Sequence, residues 1–132
     1  MIRRPPRSTL SSSSAASDVY KRQRVYKKIM KTGYPNSEKI KSGLKSLKFH
    51  LDYLNWLLER RKWIACDLLT VSDFTAASHL SSLDYINDVN WDYFPNVKDW
   101  YSKIKSRPAF RPILTDLLAG FIPSEHYNDL DF

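Results

Sequence analysis

An all-α fold, a bundle of helices with no sheet, follows from three features of the sequence. Ile40, Leu44, Leu47, Leu51, Leu54 and Leu58 recur at spacings of three and four, which draws one apolar stripe along a long helix. Thr70-Val71-Ser72-Asp73 reads as a helix start, with the threonine at the N-cap and the aspartate three residues on. Pro95 fits the first turn of a further helix, whose buried face is Val97, Trp100, Tyr101 and Ile104. A chain of 132 residues, 42% apolar and 14% aromatic, suits one domain with a real core.

Residues 1–23 are rich in Ser, Arg and Pro and have no helical or strand period, so they are expected to be a disordered leader. No apolar run follows the arginines, which argues against a secretory signal. Ser14 to Gln23 resembles translated sequencing-adapter read-through, and the leader is expected to be non-native. Residues 24–120 form the expected domain. Arg24 to Thr32 reads as the basic tail of a helix ending near Gly33. Asn36 or Ser37 should cap the next helix, about Glu38 to Arg61. Its Lys41, Lys45, Lys48, Asp52 and Glu59 make a polar strip, while Phe49, Tyr53, Trp56 and Leu57 imply contacts on more than one side.

In the next helix, about Val71 to Asn87, the threonine oxygen can accept the Asp73 N–H while Asp73 reaches back to the Thr70 N–H. Leu69 and Phe74 can close as a hydrophobic staple. Phe74, Ala76, Ala77, Leu80, Leu83, Tyr85 and Ile86 make this helix apolar nearly all round, so it is expected at the centre of the core. Pro108 starts a last helix with Phe110, Ile113, Leu114, Leu117 and Leu118, closed by Gly120. Residues 121–132 form an acidic–aromatic tail without predicted regular structure. Its His126, Tyr127, Asp129, Leu130, Asp131 and Phe132 are the candidate partner-binding residues.

The net charge of +7 divides unevenly: +4 in residues 1–23, +8 in 24–62 and −5 in 63–132. The basic strip has no stacking platform or reading motif beside it, so nucleic acid is not an expected partner. An acidic partner or a second subunit suits it better. The single cysteine, Cys66, excludes an internal disulfide and suits a reducing cytoplasm. No apolar run is long enough to span a membrane. His50, His79 and His126 lack metal-ligand spacing, and there is no glycine-rich phosphate loop. No catalytic, cofactor-binding or metal-ligating residue is assigned.

Trp63-Ile64-Ala65-Cys66-Asp67-Leu68-Leu69-Thr70-Val71-Ser72-Asp73 resembles the capping-box region of the all-helical C-terminal domain of glutathione transferases. That family usually reads Leu-x-Gly-Asp-x-x-Thr/Ser-x-Ala-Asp; Cys66 replaces the glycine and Ser72 the alanine. Ser106-Arg107-Pro108-Ala109-Phe110 is similar to the opening of the family's last helix. The resemblance implies a longer parent with a thioredoxin-like domain that binds glutathione. No βαβ pattern precedes Arg24, so this chain is expected to hold no cofactor and to be inert in conjugation. At most it would supply a second wall of a co-substrate pocket, and faces left bare by the absent domain should form an apolar patch that promotes self-association. Trp91-Asp92-Tyr93, Lys98-Asp99-Trp100-Tyr101 and His126 to Phe132 resemble the FtsZ-associated, glutathione-transferase-like division proteins of bacteria. That likeness implies a dimeric parent that binds the FtsZ filament, with the C-terminal end taking part. The C-terminal half of a working glutathione transferase is the other reading.

Overall fold

The computed structural model describes Lys21, Gln23, Gly33, Tyr34 and residues 36–130. The expected basic helix tail at 24–32 and most of the leader lie outside the described residues. Within them the chain is all-α: helices α1 (Ser37–Arg60), α2 (Val71–Tyr85) and α3 (Pro95–Lys105), with short 3-10 turns at Trp91–Tyr93 and Arg111–Thr115. No strand occurs among the described residues.

Asn36 caps α1: its side-chain oxygen accepts the N–H of Glu38 at 3.0 Å and of Lys39 at 3.1 Å. Gln23, counted with the leader from sequence, is buried, and its side-chain oxygen accepts the Asn36 N–H at 3.1 Å. The apolar stripe of α1 is less deeply covered than its spacing suggests. Leu51 is buried and Leu44 is exposed, while Leu57, off the stripe, is fully buried.

The contacts divide the chain into two compact units, Met1–Asp52 and Tyr53–Phe132. The break falls inside α1 because Leu51 is the one buried residue of its first sixteen. In the first unit Lys48 pairs with Asp52 at 2.8 Å on an exposed face, and His50 meets Phe49 edge-on, its pKa lowered by burial. Pairs as exposed as Lys48–Asp52 add little stability.

The second unit is built on α2 and α3. Thr70 is the N-cap of α2, and both halves of the capping box are present. α2 stops at Tyr85, two residues earlier than expected, because Asn87 turns left-handed at φ 61°. The Asn87 N–H then reaches the Asp84 carbonyl at 2.9 Å and the Asp88 N–H reaches Leu83 at 3.1 Å, a Schellman closure. Nor is α2 enclosed on all sides. Asp73, Ala77, Leu80, Ser81, Leu83, Asp84 and Tyr85 are buried, whereas Val71, Thr75, Ser78 and Ser82 form an exposed stripe.

α3 starts at Pro95 as expected, but its N-cap is Phe94, which has no side-chain acceptor. Asn55 of α1 substitutes, its side-chain oxygen accepting the N–H of Asn96 at 2.9 Å and of Val97 at 3.4 Å. The expected last helix does not form. Arg111–Thr115 makes a short 3-10 turn, and Leu117 and Leu118 are exposed. Pro112 removes a backbone donor, and with Leu117 and Leu118 in water no apolar face rewards further helical turns.

Candidate functional site

Two buried aspartates organise α2. At its start Asp73 is saturated with donors: Thr70 N–H at 3.0 Å, Ile64 N–H at 2.9 Å and the Trp100 indole at 2.9 Å. The Asp73 N–H finds the Thr70 carbonyl at 3.1 Å, and Thr70 Oγ1 lies 3.4 Å from the carboxylate. Asp73 therefore ties the loop before α2, the helix start and α3 into one joint. Leu69 and Phe74, the expected staple, are both half-buried.

At the other end Asp84 has no exposed surface. Its Oδ1 accepts the Trp91 indole at 2.8 Å and lies 2.7 Å from His126 Nε2, whereas Oδ2 finds no hydrogen-bond partner among the described residues. Trp91 stacks on Tyr101 with ring centres 4.9 Å apart, and Tyr101 meets Phe110 edge-on. Lys105 is buried as well; its ammonium donates to the His126 carbonyl at 3.2 Å and sits 5.3 Å from the Tyr101 ring. Burial pushes the Lys105 pKa down, against the pull of Asp84 and Asp129. Tyr101 is pushed well up, first by burial and then by the Asp84 charge. Tyr127 is raised mainly by burial, against its bond to Ser81.

The C-terminal segment has no helix or strand among its described residues, as expected, but it is fastened to α2 and α3. The Tyr85 hydroxyl donates to the Phe121 carbonyl at 3.1 Å and accepts the Leu118 N–H at 3.0 Å. Ser124 N–H bonds the Tyr85 carbonyl at 3.1 Å, and Tyr127 meets Ser81 hydroxyl to hydroxyl at 2.8 Å while standing edge-on to Tyr85. Of the candidate partner-binding residues, His126 is half-buried and Tyr127 fully buried, both turned inward. Asp129 is exposed and Leu130 half-exposed, and Asp131 and Phe132 lie outside the described residues. Period and spacing gave no sign of Asp84, Lys105 or Ser81. The only trace in the sequence is a set of polar residues interrupting apolar helix faces.

Ser124 Oγ, at 3.4 Å, and Asp84 Oδ1 approach the same His126 nitrogen, so the imidazole cannot relay a proton between them as a triad requires. Cys66 is exposed, its Sγ 3.4 Å from the Leu68 carbonyl. No group of three His, Cys, Asp or Glu residues able to hold a metal occurs among the described residues. No described helix is long and apolar enough to cross a membrane.

An all-helical unit whose second helix opens on a Thr–Asp box and is closed over by its own C-terminal segment defines a class. Residues 22–112 match the glutathione S-transferase C-terminal domain family, and the chain belongs to it. Among relatives, it is 44% identical over 110 residues to FtsZ-localized protein A of Caulobacter vibrioides (strain NA1000 / CB15N), covering 83% of this chain and 48% of that protein. The solved structure of FzlA from C. crescentus matches with a TM-score of 0.86 and 39% identity, over 96% of this chain and 58% of the other. A glutathione S-transferase from Rhodospirillum rubrum F11 matches with a TM-score of 0.82 and 37% identity, over 97% and 63%. The chain thus spans about half the length of the curated relative and less than two-thirds of these solved ones.

Proposed function

We propose that the chain is the C-terminal helical domain of a non-catalytic, cytoplasmic assembly factor for the FtsZ division filament, and that its acidic tip is the docking element. The observation that carries this reading is the 44% identity to an FtsZ-localized protein across most of the chain. The chemistry agrees with it: the polar cluster around Asp84 holds a segment in place and lacks the geometry of an acid–base site. With His126 and Tyr127 turned inward, the partner-facing residues narrow to Asp129 and Leu130, followed in sequence by Asp131 and Phe132. A basic surface with an apolar recess is the complement of such a tip. The longer protein is read as a homodimer.

Co-sedimentation with FtsZ polymers tests the proposal, comparing the full chain with one ending at Asn128. Capture of the full chain and loss of the shortened one is the expected result. Equal capture of both removes the tip from the function. A second reading is favoured by the 37% identity to the Rhodospirillum rubrum enzyme: the C-terminal half of a glutathione transferase, furnishing one wall of a co-substrate pocket. Glutathione would then be held by residues outside this chain. Glutathione-dependent conjugation of a standard electrophile by the longer protein, without FtsZ capture, would establish that alternative.

A further inference from the structure

Between Leu118 and Asp129 the chain makes contacts of a kind that fix register as well as cover surface. Tyr127 is the apolar anchor, 4% exposed and edge-on to Tyr85. Around it stand directional bonds from two helices: Tyr85, Ser81 and Asp84 of α2 and Lys105 of α3. The last of these lead straight to the tip. The His126 carbonyl accepts both the Lys105 ammonium at 3.2 Å and the Asp129 N–H at 3.0 Å, so the turn bearing Asp129 is built on the atom the buried lysine holds. Asp129 is also close enough to Lys105 to favour its charged form. Well-packed apolar residues would close the core at least as firmly as a buried carboxylate and a buried ammonium. What the polar set adds is one defined position for the residues beyond it.

We propose that residues 118–127 are a latch that holds Asn128, Asp129 and Leu130 as a preordered docking tip for a basic partner surface, with Asp84, Lys105, His126 and Tyr127 as positioning residues. The inference rests on the reading of the tip as the docking element. Ordering the tip in advance removes the entropy cost of fixing its side chains when the partner arrives. None of the positioning residues need touch the partner.

The test uses the full chain with His126→Ala, His126→Gln and Tyr127→Phe, and reads FtsZ-polymer affinity together with amide hydrogen exchange. His126→Ala should speed exchange at Ser124, Tyr127 and Asp129, whose N–H groups are the bonded ones, without speeding it at Leu80 and Leu83 of α2. Affinity should fall by about tenfold with the tip sequence intact, because its side chains must then be ordered on binding. His126→Gln, whose amide nitrogen reaches the position of Nε2, should restore most of both. Tyr127→Phe, losing one hydroxyl bond and keeping the ring, should give a smaller loss in the same direction. A freed segment with unchanged affinity overturns the proposal, as does unchanged exchange in the segment for both His126→Ala and Tyr127→Phe. Loss of affinity that His126→Gln does not recover makes the imidazole a direct contact and also overturns it. Failure of the docking reading looks different: the chain ending at Asn128 then binds as well as the full one.

Discussion

The two ends of α2 each hold a buried aspartate against a tryptophan indole, at 2.9 Å for Asp73 and 2.8 Å for Asp84, yet the two sites are built on opposite terms. Asp73 sits where the helix dipole favours negative charge and collects two backbone N–H groups besides the indole. Asp84 sits in the last turn, where the dipole opposes negative charge. One of its oxygens lacks a hydrogen-bond partner among the described residues, and the other is shared between Trp91 and His126. The first site secures the fold. The second accepts a poorer electrostatic position and in doing so fastens a distant segment. Where a fold buries a carboxyl group against its own helix dipole, the place to look for function is whatever that group holds.

The largest expected effect that would break this contrast is at Asp73. Asp73→Ala strands three donors, two of them buried, and should cost about 3–5 kcal/mol, seen as a lowered urea midpoint by tryptophan fluorescence. A loss under about 1 kcal/mol would mean that the joint does not secure the helix start. Asp84→Asn should cost less, about 1–2 kcal/mol, because an amide oxygen still accepts from Trp91 and the opposing charge is gone. Exchange of the Ser124 and Tyr127 amides should nevertheless accelerate; if both aspartates cost the same, the two ends are not different in kind. Thr70→Ala should be milder still, about 0.5–1 kcal/mol, since the backbone N–H that Asp73 accepts survives the change. A loss as large as that of Asp73→Ala would shift the weight of the joint to the hydroxyl.

Alkaline pH gives the smallest effect and confines it to one end. Tyr101 and Tyr127 surround Asp84, and both are raised above the ordinary 10.0. The folded chain keeps protons there that the unfolded chain releases, so stability should fall as pH rises past about 10. Lys105 acts oppositely: its lowered pKa makes the unfolded state bind the extra proton, so its contribution rises with pH until the ordinary 10.5 is passed. Net loss is therefore expected above about pH 10.5, flattened by Tyr101→Phe or Tyr127→Phe and untouched by Thr70→Ala. Urea midpoints at pH 8, 10 and 11 for these variants would measure it.

What could be read locally held well. The Thr70–Asp73 box, the Asn36 cap and Pro95 at the first turn of α3 each depend on residues within four positions of one another, and each stands as expected. The expected helix after Pro108 failed because its leucines supplied a period that no partner surface rewards: Leu117 and Leu118 stay in water. The tail gave no local signal of its attachment. Short, acidic and aromatic, FIPSEHYNDLDF carries no period, and Phe121, His126 and Tyr127 are held by groups 21 to 46 positions away: Lys105, Tyr85, Asp84 and Ser81.

By itself, then, the sequence determined α1, α2 and α3, the caps that open α1 and α2, and the family, because hydrogen bonds at fixed short offsets and apolar spacing act before any long-range contact forms. The tertiary structure alone decided that Asn55 caps a helix 41 residues away and that Asp84 and Lys105 are buried. It also decided that the C-terminal segment is clamped through His126 and Tyr127, with Asn128 and Asp129 exposed. Those outcomes depend on which faces meet in space, and no spacing along the chain encodes that meeting.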